Sequence, residues 1–314
     1  MLPAAEAQLE APWRAVFDPA IDLTAAATGP APRELSALAW DPQVRELVAV
    51  SDRGRLFRYR LATRDGRLHA DAVLASPLAL SGAPGERKPA RPNAEALAWR
   101  ISPSAAPGLP EPPGELLLAS EQGNRVWRLA PDGNAIGHLA WPAPLQAALS
   151  AAAGDGTRHG VEAITWHAEH GLLAALQRPR KASADSGRNG AGRTRVHWIH
   201  ATSGLRWGFV PAGADSQLKA IEARPDGSLL LLERVRQPGD SRLHTVLRWL
   251  DPAVCGDQVL CAAPSLPMFP APIVGHDNVE GLACKADGTC WLVNDGGADA
   301  EQPTRLWQFR LVPR

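Results

Sequence analysis

The sequence carries no net charge, because 33 Lys and Arg residues balance 33 Asp and Glu residues. Proteins that bind nucleic acid or an anionic membrane surface usually have a basic excess. No apolar run reaches the roughly 18 to 20 residues that a membrane-spanning helix needs. We therefore expect no nucleic-acid partner and no membrane span, and a small molecule is the expected ligand.

Two common signatures of enzymes are also missing. The sequence has no G-x-S-x-G nucleophile elbow, and no Gly-rich phosphate loop precedes a helix. Helical periodicity is scarce as well, and the Ala-rich residues 145–153 predict one short helix in a connection. Serine-esterase chemistry therefore has no support in the sequence, and the chain is predicted to be almost entirely β.

Cysteine is rare, and its four residues form two closely spaced pairs, Cys255 with Cys261 and Cys284 with Cys290. The second pair brackets the turn of a predicted hairpin, where cross-strand Cβ atoms approach disulfide distance. Zinc is the competing interpretation, but neither gap matches a usual ligand spacing and no His accompanies the pairs. The pairing favours two disulfides and an oxidising compartment, the periplasm or the exterior.

The N-terminal residues bear on the same question. Ala5-Glu6-Ala7 fits the small-residue cleavage pattern of a secretory signal. Residues 1–10 are interpreted as the remnant of an export signal or, with equal weight, as a disordered Ala-rich tail. We assign residues 11–314 to a single folded domain.

A short apolar segment recurs five times, and a second apolar strand that ends in polar residues follows each copy. The copies are residues 35–40, 94–99, 161–166, 218–223 and 279–284. Units of about 45 to 65 residues with three or four strands and Gly, Pro and Asp turns predict a β-propeller. A β-sandwich with accidental internal similarity is the alternative.

Five copies predict five blades, and a sixth is possible if residues 241–272 contain a degenerate one. The last copy ends without a fourth strand, and residues 13–18 could supply it. Pairing of this N-terminal strand with the last copy would close the ring and remove the exposed sheet edges.

Acidic residues recur at two equivalent positions of the repeats, one on the first strand and one at the end of the second. The pairs are Ser36/Asp52, Glu95/Glu121, Glu162/Gln177, Lys219/Glu233 and Glu280/Asp295. First strands line the channel of a propeller, so these side chains should converge at one mouth. Carboxylates so clustered need a compensating charge, and oxygen ligands favour Ca²⁺. The sequence therefore predicts that one or more Ca²⁺ ions are bound by Asp52, Glu95, Glu121, Glu162, Glu233, Glu280 and Asp295.

The competing interpretation is that these acids only cap strand ends. It is weakest for Glu95, Glu162 and Glu280, since each precedes a small residue and a buried Leu or Ile and should point into the channel. These three glutamates are the catalytic candidates. His159 and His276 are expected in surface loops, with a role as catalytic base as the minor alternative.

Several stretches resemble the phytase-like propeller family, often called "esterase-like activity of phytase". They include AEALAW, GVEAITW, KAIEARPDGSLLLLER and DNVEGLAC with WLVNDGG, within about residues 34–311. The family is similar to Ca²⁺-dependent propeller phytases, which bind phosphate at an acidic channel mouth. The resemblance implies a Ca²⁺-dependent hydrolase of phosphoesters. Gln177 and Lys219 depart from an all-acidic mouth.

In this interpretation Lys219 and Arg234 hold the phosphate, and Arg178 is a further candidate. A metal-dependent lactonase of the gluconolactonase type is the first alternative, with Asn93, Asn278 and Asn294 as neutral ligands of a single metal. A non-enzymatic propeller that binds a ligand and carries a structural Ca²⁺ is the second. We expect a monomer in each case.

Overall fold

The structure is a computed structural model in which five sheets form a propeller, and within each blade the neighbouring strands run antiparallel. It describes residues 10–24, 30–65, 67–78, 80, 93–101, 114–120, 126–154, 160–181, 195–213, 215–236, 242–255, 260–269, 274–275, 278–297 and 302–314. The predicted export segment, residues 1–10, lies outside these residues except for its last position.

Two strands precede the first blade, β1 (Trp13–Phe17) and β2 (Ile21–Asp22). The first blade consists of β3 (Leu35–Asp41), β4 (Glu46–Ser51), β5 (Arg55–Arg64) and β6 (Arg67–Pro77). The second consists of β7 (Ala94–Arg100), β8 (Glu115–Ser120), β9 (Val126–Leu129) and β10 (Ala135–Leu139). Helix α1 (Ala143–Gly154) then connects to the third blade and confirms the predicted short helix.

The third blade consists of β11 (Val161–His167), β12 (Gly171–Leu176), the short β13 (Arg180–Lys181), β14 (Arg195–Ala201) and β15 (Arg206–Phe209). The fourth consists of β16 (Gln217–Ala223), β17 (Leu229–Arg236) and β18 (Leu243–Leu250). Helix α2 (Pro252–Cys255) and three dipeptide strands follow, β19 (Leu260–Cys261), β20 (Met268–Phe269) and β21 (Val274–Gly275). The fifth blade consists of β22 (Val279–Cys284), β23 (Thr289–Asn294) and β24 (Arg305–Pro313).

The N-terminal strand closes the ring, as predicted. Strand β1 pairs antiparallel with β24 over five residues and is the fourth strand of the last blade. The ring of Phe17 stacks on that of Phe309, with 4.8 Å between centroids. The first strands of the blades touch one another in the cyclic order β3, β7, β11, β16, β22 and back to β3. The propeller is therefore closed on itself.

In residues 241–272, the part that the structure describes forms no sixth blade. Residues 243–250 are the third strand of blade four, and β21 pairs with that strand. Strand β19 adds in parallel to the outer strand of blade three, and β20 adds in parallel to β1 of blade five. The segment thus straps three blades together at their outer edges, where unpaired backbone groups would otherwise be exposed.

The core is divided into five apolar clusters, each between two neighbouring blades. Leu47 lies in the cluster between blades five and one, for example, while its neighbour Val48 lies in the cluster between blades one and two. Successive strand residues point to opposite faces, and a strand buried on both faces is apolar almost throughout. This explains runs such as residues 229–232, four consecutive leucines.

Both predicted disulfides are present. Cys255 bonds to Cys261 with 5.2 Å between Cα atoms, and Cys284 bonds to Cys290 across the β22–β23 pair with 4.0 Å between Cα atoms. No helix of the described residues is long and apolar enough to cross a membrane.

Candidate functional site

Every first strand has a β-bulge at the same place. In each blade the pairing with the second strand skips one residue. A bulged residue is left out of the ladder, and its side chain can be redirected. The skipped residues are Ser36, Glu95, Glu162, Lys219 and Glu280. These are the five first-strand positions identified in the sequence. The bulge allows a polar side chain to leave the otherwise apolar faces of the strand.

The channel beneath these residues is closed by apolar side chains. Each bulge is followed by Ala or Gly and then by Leu or Ile, and these residues surround a central cavity of about 10 Å³. Such a volume is about that of one water molecule. The end of the channel that bears the bulged residues, called the mouth below, is therefore a layer of polar side chains over an apolar floor.

Lys219 lies at the centre of the mouth and joins two blades to its own. Its ammonium group forms a salt bridge with Glu162, and another with Oε2 of Glu280 at 2.6 Å. Gln177 donates to Oε1 of Glu162 at 2.8 Å, and Nη1 of Arg234 lies 3.5 Å from Oε1 of Glu280. The structure thus brings together two of the three catalytic candidates and two of the three proposed phosphate ligands.

The charges of this cluster depend on one another. Burial raises the pKa of Glu280 to about 7, with a further contribution from Glu162, against the lowering effect of Lys219 and Arg234. Burial would lower the pKa of Lys219, but the carboxylates of Glu162 and Glu280 outweigh it and keep that pKa above its ordinary value. Lys219 therefore remains a cation, whereas Glu280 can change its protonation state near neutral pH.

A second group of oxygens lies between blades five and one. Burial raises the pKa of Asp52 to about 6, and the charges of Asp295 and Glu34 raise it further, while the hydrogen bond with Ser36 opposes them. Oδ2 of Asp295 accepts a hydrogen bond from Asn278 at 2.8 Å. The other amide atom, Oδ1 of Asn278, is buried and has no hydrogen-bond partner among the described residues.

In four of the five blades, the side chain two positions before the bulged residue makes a hydrogen bond beside the mouth. Asn93 donates to Oε1 of Glu95 at 3.0 Å, and Gln217 accepts a hydrogen bond from Arg234. Asn278 donates a hydrogen bond to Asp295, and Glu34 accepts one from Arg53. Asn93 and Asn278 had been predicted as neutral metal ligands, whereas Glu34 and Gln217 were missed, although their constant spacing from the bulged residues could have revealed them.

The expected position of Glu233 at the mouth is wrong by one residue. Ser51, Leu176 and Asn294 pair with the residue before the bulge, and the residue after each lies at the mouth. In blade four it is Glu233 that pairs with the residue before the bulge, so Arg234 is the equivalent of Asp52. A shift of one residue moves a side chain to the other face of a strand.

Glu233 is held in a separate buried cluster. Its Oε1 accepts from Ser216 at 2.5 Å, Nε2 of His197 lies 3.3 Å away, and Arg248 forms a 2.9 Å salt bridge with Oε2. Although burial opposes it, His197 and Arg248 lower the pKa of Glu233 below its ordinary value. Glu233 is therefore a buried anion that already has a cationic partner.

The remaining candidates are dispersed. Arg178 is exposed, one residue beyond Gln177, and Asn294 donates to the carbonyl of Pro303 at 3.1 Å and accepts from the amide of Arg305 at 2.6 Å. Glu121, His159 and His276 lie outside the described residues. Within the described ranges, no group of three or more His, Cys, Asp and Glu side chains is arranged to hold a metal ion.

The fold and site define a class: a closed five-bladed β-propeller in which four of the five first strands present a charged residue at one channel mouth. Residues 32–297 match the family described as "Phytase-like: Esterase-like activity of phytase". The match spans most of the chain, and this protein belongs to that family. No curated protein matches its sequence.

Solved propeller structures resemble the chain only distantly. A streptogramin B lyase is 9% identical, with 94% of this chain and 98% of that chain covered and a TM-score of 0.42. A gluconolactonase from Xanthomonas campestris is 12% identical, with 96% and 95% covered and a TM-score of 0.40. A DUF4221 family member from Bacteroides vulgatus is 7% identical, with 96% and 99% covered and a TM-score of 0.44.

Proposed function

We propose that this protein hydrolyses phosphoesters at the mouth with the help of Ca²⁺. The observation that carries the proposal is the cluster of Glu280, Lys219 and Arg234. A carboxyl group with a pKa of about 7 lies there beside two cations, over a closed floor. A group with such a pKa suits general acid–base catalysis near neutral pH, and Lys and Arg side chains are the usual protein ligands of phosphate.

The roles of the mouth residues follow from their contacts. Arg234, oriented by Gln217, binds phosphoryl oxygens, and Lys219 supplies a third N–H beyond the two directed at its glutamates. Glu280 accepts a proton from the attacking water, and Glu162 keeps Lys219 in place. Arg178, exposed at the rim, contacts the part of the substrate that extends from the mouth, and Glu95 is a third carboxylate at the equivalent position.

The residues that could hold Ca²⁺ are fewer than the sequence indicates. Glu162 and Glu280 already share the charge of Lys219, and Glu233 is neutralised by Arg248. Asp52, Asp295 and Oδ1 of Asn278 fit a hard cation, since they are oxygen donors and the amide oxygen lacks a partner. When bound, Ca²⁺ would neutralise developing charge on the phosphoryl oxygens.

Turnover of phosphomonoesters and phosphodiesters, measured with Ca²⁺ and with a chelator, tests this proposal. We expect metal-dependent hydrolysis that Glu280→Gln abolishes, whereas Glu233→Gln keeps it in the fraction of the protein that is folded. If no ester is hydrolysed, either with Ca²⁺ or with the chelator, the proposal is contradicted and a ligand-binding propeller is favoured.

A lactonase of the gluconolactonase type is the second candidate, because Asp52, Asp295 and Asn278 are a donor set for a single metal. The substrate separates the two, since both use the same donor set: metal-dependent hydrolysis of sugar lactones without turnover of phosphoesters favours the lactonase, and the reverse favours phosphate chemistry. We further propose, from the two disulfides, that the protein acts in the periplasm or outside the cell.

A further inference from the structure

A pocket of about 340 Å³ lies beside the mouth, on the first blade. Its described lining residues include three arginines, Arg33, Arg53 and Arg55, together with the acid Glu34. It is connected to the mouth through the backbone, since the amide of Asp52 donates to the carbonyl of Glu34 at 3.0 Å. The pocket is thus separate from the mouth but adjoins one of its rim acids.

The charge of the pocket is positive. Among the lining residues that the structure describes, the one acid is Glu34, and Arg53 binds it through both Nε and Nη2, so its charge is compensated. Arg33 and Arg55 are two further basic residues of the same lining, so its described residues carry more positive than negative charge. A site with this balance attracts an anion, and the planar N–H fork of arginine matches the oxygens of a phosphate group.

The pocket is shaped by a tight turn and by apolar walls. Gly54 has a φ of 75°, its amide donates to the carbonyl of Ser51 at 2.7 Å, and its own carbonyl accepts from Leu78 at 2.8 Å. Arg53 and Arg55 flank this glycine, so the turn places both arginines in the lining. Phe57 and Pro77 form apolar parts of the lining.

We infer that this pocket is a second anion site, which binds a phosphate group, free or esterified, independently of the chemistry at the mouth. Binding there competes with Glu34 for Arg53. It therefore alters the charge next to Asp52. The pocket is thus suited to couple phosphate binding to the electrostatic environment of Asp52 at the mouth. The inference does not depend on the proposed hydrolysis.

NMR spectra of the arginine Nε–H groups, recorded during titration at constant ionic strength, test the inference for each guanidinium group. Inorganic phosphate is one titrant and phenyl phosphate the other. We expect saturable shifts of the Arg33, Arg53 and Arg55 signals. Arg55→Gln should weaken this binding by about tenfold, the effect of losing one hydrogen bond to a charged group.

Two control variants separate the pocket from other sites. Arg64→Gln removes the same charge at the opposite end of β5, about 30 Å away, and should leave the affinity unchanged. Arg234→Gln removes a cation of the mouth and should leave the pocket signals responsive. Shifts with both titrants identify the phosphate group itself as the ligand, and shifts with phenyl phosphate alone identify an esterified ligand. Absence of saturable shifts with either, or equal weakening by Arg55→Gln and Arg64→Gln, would overturn the inference.

Discussion

Lys219 determines the charge balance of the mouth. It occupies the position that holds Glu95, Glu162 and Glu280 in three of the other blades, and only 4% of its surface is exposed. Its ammonium group takes the place that a cation would occupy between two of these glutamates. A fixed protein cation therefore compensates Glu162 and Glu280.

Replacing Lys219 tests that conclusion. Lys219→Met retains the volume but leaves two buried carboxylates without their partner, and we expect a loss of about 3 kcal/mol in the free energy of unfolding. Denaturant unfolding measures it. Arg64→Gln, which breaks the exposed salt bridge with Asp71, is the control and should change stability by less than about 1 kcal/mol. Equal effects of the two variants would contradict the role given to Lys219.

The pH dependence of stability tests the protonation of Glu280. Its folded-state pKa of about 7 exceeds its ordinary value of 4.5. Between these values the folded protein retains a proton that the unfolded chain releases, so this group makes stability fall as pH rises from about 4.5 to 7. In Glu280→Gln that contribution is absent. Stability curves that decline equally in both proteins across this interval would show that Glu280 does not titrate there.

Single residues also show the limit of sequence reasoning. The repeats placed Glu162, Lys219 and Glu280 at equivalent positions, because identical spacing from apolar residues is visible in the sequence. The sequence did not distinguish Glu233 from Arg234. Strand β17 begins with four buried leucines, so no alternation of polar and apolar residues indicates which of the two faces the mouth.

At the scale of elements, the β-bulge explains how a buried strand carries a charged residue. Each first strand is apolar on both sides of its bulge, and the bulged residue leaves the ladder. The apolar repeats made the strands and the hairpin turns predictable. The bulges were not predictable, since no glycine or other local signal marks them in four of the five blades.

The fifth blade provides a test of packing next to its bulge. Gly281 follows the bulge where the other four blades have Ala, and an added Cβ would lie 2.8 Å from Val293 and 3.0 Å from the backbone nitrogen of Leu38. We expect Gly281→Ala to destabilise the protein by about 1 to 3 kcal/mol through overpacking. Thermal unfolding measures it, and Gly213→Ala, where the nearest atom is 3.5 Å away, is the control. A neutral Gly281→Ala would mean that blades five and one can separate slightly.

At the scale of the molecule, closure of the ring fixes the mouth. Strand β1 completes the fifth blade, and the strap of β19 and β20 links the outer strands of blades three and five. Five-fold repetition and the missing last strand made this architecture predictable. The strap was not predictable, because strands of two residues carry too little pattern to recognise.

The melting temperature with and without Ca²⁺ tests the central claim, that the mouth is a cation-assisted phosphate site and not only architecture. A ligand that binds only the folded state stabilises it by about 2.7 kcal/mol at a hundredfold excess over its Kd. We predict that Ca²⁺ raises the melting temperature of the wild type and of Glu233→Gln, and that the increase disappears in Asp52→Asn and in Asp295→Asn. A wild-type melting temperature that Ca²⁺ leaves unchanged would contradict the claim.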